Sequence, residues 1–374
     1  MITFVVIINV GLLILLTITL VNVLTGPYLR KKITQQETPR VSVLIPARNE
    51  ERNIEGCIRS LMQQDYPDLE IIVLDDESSD KTAEIIQRLI MESPRLIYKE
   101  GKSLPEGWTG KNWACHQLSE FSTGEILIFS DADNRYADNA ISRTVARMQK
   151  YNLDMLSAFP QQITGSFFEK LVVPVIDLLL YSSLVLWLTY YVKFPSLAAA
   201  NGQWIAFRAE SYRKIGGHNI VKDKIVEDVE LSRSFKRQQY RIMTCAGTGI
   251  VYGRMYQSAH EVWQGFSKNL FGLLSYRTIP FFTILLGFII VFILPYVLVF
   301  SKELFILSFL AVLQNLFLRL SLAIGYKHPP LISIIMHPFS ILFIILIALD
   351  SFRKTTVGTH YWKDREIKVN SLKI

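Results

Sequence analysis

Three acidic groupings in this 374-residue chain have spacings that chemistry can use. Asp131 and Asp133 stand two apart, directly after an apolar run. Carboxylates so placed can hold a hard cation such as Mg2+ or Mn2+, which neutralises phosphate oxygens and a leaving diphosphate. Asp75 and Asp76 are adjacent at the end of another apolar run. Neighbouring carboxylates repel, and Ser79 or Asp80 is enough to cap the helix that follows, so a ligand's hydroxyl or N–H groups would account for the pair. Glu227 and Asp228 open a helical stretch. Acids are favoured in a first turn by the helix dipole, but a carboxylate there can also take a proton from an attacking hydroxyl as a general base. A solvated turn remains the plainer alternative for the spaced pair, and a dipole-stabilised first turn for the last.

Other stretches carry weaker signals. Lys111, beside Gly110, can approach a phosphate, although residues 107–113 also read as a loop-to-helix junction with Asn112 near the cap. Asn201, Gly202 and Gln203 lie between apolar runs and are either an acceptor contact or a turn. The glycine-rich residues 247–253 lack the spacing of a dinucleotide-binding loop. There is no P-loop, no H-E-x-x-H and no G-x-S-x-G. Cys57, Cys115 and Cys245 are far apart and show no metal-ligand spacing.

These groups need a scaffold that gathers them. Apolar runs at residues 41–45, 70–74, 95–99 and 125–129 read as strands, and the polar stretches 49–64, 80–91 and 111–122 read as helices between them. Strands alternating with crossover helices make a mostly parallel, Rossmann-like α/β sheet, and such sheets bind ligands beyond the carboxyl ends of their strands. Residues 46–50, Asp75–Asp76 and Asp131–Asp133 all fall at those ends, so three polar clusters are expected to face one crevice.

The rest of the chain is a different solvent problem. Hydrophobic residues make up 50% and charged residues 20%, and the net charge is +7; the mean hydropathy is +0.26. This excludes a disordered or disulfide-rich chain. The apolar excess lies at the two ends. Residues 2–24 hold no charge and are long enough to cross a bilayer at about 1.5 Å per residue. They are read as a retained anchor within residues 1–29, and Arg30, Lys31 and Lys32 place that flank, and the middle of the chain, in the cytoplasm. Residues 278–301, 304–326 and 331–349 are further apolar segments, giving two to three membrane helices within 278–350. Three full crossings would put the basic tail, 351–374, outside, so the segment holding His337 and Pro338 is expected to be re-entrant or interfacial. Residues 163–193, interrupted by Pro174 and Asp177, are read as an interfacial helix inside a domain of residues 40–270. The basic residues form no stripe with interleaved aromatics, so a membrane surface and not nucleic acid is the expected partner.

Together, Pro46-Ala-Arg-Asn-Glu50, Asp75-Asp76-x-Ser-x-Asp80, Asp131-Ala-Asp133 and Glu227-Asp228 resemble, in kind and order, glycosyltransferase family 2 with its GT-A fold. The resemblance covers roughly residues 40–270. Residues 107–115, 254–256 and 261–269 are similar to a narrower group of hopanoid-associated and carotenoid (diaponeurosporenoate) glycosyltransferases, and the tail 360–365 resembles the W-x-x-R ending of lipid-directed members. The resemblance implies that Ala47, Glu50, Asp75 and Asp76 line a nucleotide pocket and that Lys111 and Asp131 lie near the nucleotide-sugar. It implies that Asp133, with Asp131 beside it, binds the divalent metal. Asp228 would be the base of a single-displacement, inverting transfer, with Glu227 supporting the acceptor; Asn201, Gly202, Gln203 and Trp263 would contact that acceptor. Processive polysaccharide synthases carry Q-x-x-R-W after the acidic pair, whereas this chain reads Trp263-Gln-Gly-Phe-Ser-Lys-Asn269. The expectation is therefore a membrane enzyme that moves one sugar, from a UDP-sugar first among donors, to a lipid acceptor such as a carotenoid or hopanoid. A small polysaccharide synthase and a non-catalytic membrane scaffold are the alternatives.

Overall fold

The computed structural model describes residues 1–34, 36–274 and 276–357 and the backbone of 361–362 and 365–366. His360, Lys363, Lys368 and Lys373 of the tail lie outside the described residues. The chain divides into two compact units: residues 27–163 with 186–255, and residues 1–26 with 164–185 and 256–374.

The first unit is the α/β one. Its strands are β1 (Val41–Ala47), β2 (Leu69–Asp75), β3 (Leu96–Glu100), β4 (Ile126–Ser130), β5 (Asn134–Tyr136), β6 (Met155–Phe159), β7 (Gln161–Gln162), β8 (Trp204–Arg208), β9 (Ile242–Ala246) and β10 (Val251–Gly253). Seven of them form one sheet in the order β3-β2-β1-β4-β8-β6-β9. All neighbours are parallel except β8, which runs antiparallel to both β4 and β6. A small second sheet has the order β5-β10-β7.

The strands are apolar on both faces because both faces are covered. Val41, Val43 and Ile45 of β1 enter one core, with Ile54, Ile58 and Leu61 of the helix Ile54–Met62. Leu44, Ile72 and Phe129 enter the other, with Ala114 and Leu118 of the helix Gly110–Phe121 and Phe235 of the helix Glu227–Arg237. Each such fully buried Val, Leu, Ile or Phe side chain contributes roughly 1.5–3 kcal/mol. Pro46 does not end β1: the strand continues to Ala47 because past Leu44 it pairs with β2 alone, so the missing proline N–H is tolerated. Where the chain leaves β1 toward β2 on one side and β4 on the other, the sheet has its switch point, the usual place for a ligand crevice.

The second unit carries three helices long and apolar enough to cross a membrane: Ile2–Thr25, Thr278–Leu298 and Phe305–Tyr326. Pro295 cannot donate to the Val291 carbonyl four residues back. The helix answers with a π turn at Ile289–Ile293, and Asn315 Nδ2 donates to that carbonyl at 3.2 Å. Gly325 lies so close to Val23 that a methyl group there would come within 2.7 Å of it, a small-residue contact of the kind that joins membrane helices. The last apolar segment is divided at Met336 into the helices Pro330–Ile335 and His337–Val357.

Residues 163–193, expected as one interfacial helix, are three short ones: Phe167–Val172, Pro174–Ser183 and Leu188–Tyr191. Pro174 starts the second, and Leu184 is extended after it. Asn22 Nδ2 donates to the carbonyls of Tyr181 and Leu184 at 2.8 and 2.7 Å, satisfying the end of that helix. Residues 164–185 and the helix Ala259–Asn269 belong to the second unit.

Candidate active site

The ends of β1 and β2 are stitched together by side chains. The Asp76 N–H donates to the Ala47 carbonyl at 2.8 Å, and the Asn49 and Glu50 N–H groups donate to Ser78 Oγ and Thr82 Oγ1 at 3.0 and 2.8 Å. Asp80 Oδ1 accepts from the Thr82 N–H at 2.9 Å, just before the helix Thr82–Ile90, so neither Asp75 nor Asp76 is spent there. Asp76 is buried. Burial also lifts the Asp75 carboxyl above its ordinary value, against the hydrogen bonds of Ser78.

Beyond β4 the acids meet a lysine. Thr109 caps the helix Gly110–Phe121, which places Lys111 in its first turn. Lys111 Nζ lies 2.9 Å from Asp131 Oδ1 and 3.1 Å from Glu227 Oε1. Burial opposes the ammonium, but the two carboxylates outweigh it and hold its pKa well above the usual lysine value. Asn112, buried in the same turn, donates to the carbonyls of Val221 and Lys224 at 2.7 and 2.9 Å, and so fixes the loop that delivers Glu227.

Asp228 is held by backbone. Its Oδ2 accepts from the Gly202 N–H at 2.7 Å and its Oδ1 from the Val229 N–H at 2.8 Å. Because β8 runs antiparallel to β4, its amino end brings residue 202 to the carboxyl edge of the parallel strands. The space is tight there: a Cβ on residue 202 would stand 3.2 Å from Lys111 Nζ, so the ammonium would have to give by a few tenths of an ångström. Burial, and then the Glu227 charge, push the Asp228 carboxyl up to about 7, with Lys111 and the two N–H groups pulling the other way. Pro46, Lys111, Asp131, Gly202, Glu227 and Asp228 line one cavity.

Asp133 is the opposite case. Its Oδ1 is buried with no hydrogen-bond partner. Burial, with the charges of Asp131 and Glu50, lifts its pKa to about 7. Among the described residues no three His, Cys, Asp or Glu side chains are arranged to hold a cation by themselves. The unsatisfied oxygen of Asp133 beside the Asp131 carboxylate nevertheless fits a cation whose remaining ligands come from a donor's phosphates.

The structure thus gathers Ala47, Asp75, Asp76, Lys111, Asp131, Gly202, Glu227 and Asp228 at the carboxyl edge of one sheet. Gln203 has another job. It is buried, its Nε2 donates to Asn134 Oδ1 at 3.2 Å and its Oε1 accepts from Gln162 at 3.2 Å. Asn201 Oδ1 accepts from the Gln203 N–H at 2.8 Å, shaping the turn. Trp263 belongs to the second unit, where its indole N–H donates to Asp350 Oδ2 at 2.9 Å. His218 stands in no motif of the sequence, yet it lines the cavity and bonds Tyr212 Oη through Nδ1 at 2.6 Å. Burial, then the nearby charges of Lys111 and His116, lower its pKa to about 3 and keep it neutral. The only signal was the preceding Gly216-Gly217, whose φ angles of 93° and 52° make the turn that inserts it.

Residues 42–213 match the family model Glycosyl transferase family 2. They form a family 2 glycosyl transferase domain. The matched span holds both aspartate pairs, Lys111 and Gly202, and stops before Glu227 and Asp228, whose place in the site rests on geometry. A 4,4'-diaponeurosporenoate glycosyltransferase of Staphylococcus haemolyticus is 30% identical over 253 residues, 64% of this chain and 63% of that protein. Its namesake in Staphylococcus aureus is 27% identical over 62% of this chain and 60% of its own length. The matches span less than two thirds of these relatives. A solved mannosyltransferase from Pyrobaculum calidifontis, in complex with GDP-Man and Mn2+, is similar to this chain in fold, with a TM-score of 0.56 at 19% identity, covering 93% of this chain and 98% of that one.

Proposed function

We propose that this chain is a membrane-bound, inverting glycosyltransferase that moves one sugar from a nucleotide-sugar to a lipid acceptor. The observation that carries the reading is the cluster Asp131–Lys111–Glu227 with Asp228 beside it, at the carboxyl edge of a family 2 domain. The apolar helices of the membrane unit and the carotenoid substrate in the relatives' names support a lipid acceptor. The Lys–Arg flank at residues 30–32 supports a cytoplasmic catalytic face. A UDP-sugar is the first donor to test, with GDP-sugars next, as the mannosyltransferase of the same fold was solved with GDP-Man.

Ala47, Glu50, Asp75 and Asp76 would line the nucleotide pocket. Asp133 and Asp131 would hold a Mg2+ or Mn2+ ion, which supplies neutralisation of the donor's diphosphate. Lys111 keeps its charge at neutral pH and holds Asp131 and Glu227 in place. Asp228, poised near 7, takes the proton of the acceptor hydroxyl as that oxygen bonds to the sugar's anomeric carbon. The bond from that carbon to the diphosphate breaks with inversion, and the nucleoside diphosphate leaves with the electron pair. Two backbone N–H groups fix the Asp228 carboxylate, so no reorganisation is needed when the proton moves.

The test incubates the purified full chain with a panel of nucleotide-sugars, a membrane lipid extract and Mn2+ or Mg2+. Nucleoside diphosphate release and a lipid heavier by one hexose are expected. Asp133→Ala should lower release by roughly a hundredfold or more, an effect of the size of a lost transition-state charge contact. Full release by Asp133→Ala would sink the metal assignment, and ladders of polymer would replace single transfer with a synthase.

A further inference from the structure

The α/β unit carries a surface that the transferase site does not use. It is built round the edge strand β9, on two segments bound to that strand. The Ala246 N–H donates to the Pro27 carbonyl and the Leu29 N–H to the Ala246 carbonyl, both at 2.9 Å, which fixes residues 27–29 at the carboxyl end of β9. The Thr244 N–H donates to Thr189 Oγ1 at 2.9 Å and fixes the short helix Leu188–Tyr191 alongside, and Lys236 Nζ closes that helix on the Val192 carbonyl. The helix Ala140–Lys150 joins the two segments. Arg143 donates to the Arg30 carbonyl, and Arg147 Nη2 donates to the Tyr28 carbonyl at 2.6 Å. Just past the helix, the Tyr151 ring stands 5.8 Å from Trp187 and 5.5 Å from Tyr190.

Rings and cations face outward from this frame. Tyr191 and Phe194 are each 69% exposed, although the backbone that carries them is tied down. Arg30, Lys31, Lys150 and Lys193 are exposed around them. Arg30 lies 4.4 Å over the Tyr28 ring and Lys150 lies 5.6 Å over Tyr151. Residues 26–36, 140–153 and 186–197, which build the surface, hold seven Lys and Arg and no Asp or Glu. Cations gathered without an acid repel one another until an anionic surface meets them, and tyrosine beside them suits the headgroup layer, where one side of the ring meets lipid and the other water. The chain also says which surface is at hand. Only Gly26 and Pro27 separate Tyr28 from the end of the apolar helix Ile2–Thr25, so once that helix crosses a bilayer, chain length keeps Tyr28 near the headgroups. We propose that this face of the α/β unit docks on acidic lipid headgroups, with Tyr191 and Phe194 entering the headgroup layer and the cations facing lipid phosphates. The proposal rests on the membrane-bound reading above and not on sugar transfer.

The experiment uses the full chain carrying Ser196→Cys, an exposed position two residues past Phe194, labelled with an environment-sensitive thiol dye; the native cysteines are buried. The labelled chain is reconstituted into vesicles of phosphatidylcholine alone or with phosphatidylglycerol added, and the dye is quenched by lipids brominated near the headgroup. Strong quenching is expected in the acidic vesicles, weak quenching in the neutral ones, and loss of the difference at high salt. Arg30→Gln, Lys31→Gln and Lys193→Gln together should shift the docking equilibrium by roughly a hundredfold, at about fivefold for each charge. Phe194→Ser should weaken quenching severalfold and keep its salt dependence. Equal quenching in the two kinds of vesicle, or quenching unchanged in the triple variant, would overturn the surface. Energy transfer between labelled copies without lipid quenching would overturn it too, and would give the face to a second copy of this chain. Release of the parent chain from vesicles by alkaline carbonate is a separate result, which would remove the membrane-bound reading beneath the proposal.

Discussion

The two ends of β2 carry buried carboxylates with opposite fates. At the amino end, Glu70 accepts from Ser42 Oγ, from the Thr123 N–H and hydroxyl at 2.8 and 3.0 Å, and from Arg40 at 3.2 Å. Burial works against its charge, but these donors win and hold its pKa below the ordinary glutamate value. At the carboxyl edge, burial wins. Asp75 is raised, Asp133 keeps an unpartnered oxygen, and Asp133 and Asp228 both stand near 7. The same sheet thus uses carboxylates in two ways. Where the fold supplies every donor, the acid is part of the structure; where it leaves valence open, the acid is available to a cation, a proton or a ligand.

The sharpest way to break this contrast is to neutralise one acid at each end. Asp228→Asn removes the proposed base, and kcat should fall by about 10²–10⁴-fold, the usual worth of general base catalysis. A carboxamide can still accept one of the two backbone N–H groups, so the melting temperature should move little by comparison. Glu70→Gln turns an NH2 toward donors at the other end of the strand. It should destabilise the chain by roughly 1–3 kcal/mol, the penalty for unsatisfied buried groups, and leave the kcat of the protein that remains folded unchanged. If Glu70→Gln lost as much kcat as Asp228→Asn, the division between the two ends would be wrong.

This contrast was half legible in the sequence. Strands expected at 41–45, 70–74, 95–99 and 125–129 are found at Val41–Ala47, Leu69–Asp75, Leu96–Glu100 and Ile126–Ser130. They could be read because an apolar run stopped by acids is a local pattern. The acids themselves stood out for the same reason. What they touch did not: Lys111 joins Asp131 to Glu227, and residue 202 reaches Asp228, only because β8 is inserted backwards beside β4, which no local pattern encodes. The sequence likewise did not show that the Gln203 amide bonds Asn134 and Gln162. Residues 163–193 misled for a physical reason as well. Apolar length suggested one helix, whereas Pro174 and the extended Leu184 divide it, and Asn22 supplies the donors that make the second break tolerable.

The smallest expected effect tests the sign of the contrast directly. Asp133 and Asp228 rise from an ordinary value of 3.8 to about 7 on folding. Between those two values the folded chain binds more protons than the unfolded one, so each acid makes stability fall as pH rises through that window, and neither contributes a slope above it. Glu70 acts the other way. Its pKa is lowered, so the stability it lends is present above the ordinary glutamate value and is lost as pH falls below it. Melting temperature followed from about pH 8 downward should therefore climb by a few degrees as the carboxyl-edge acids take up protons. It should then turn over in the acid range as Glu70 is protonated. Asp228→Asn should flatten the climb and keep the turnover, whereas Glu70→Gln should keep the climb and soften the turnover. A climb unchanged in both Asp228→Asn and Asp133→Asn would mean that these acids are ionised in the folded chain at pH 5, and that they differ from Glu70 only in position.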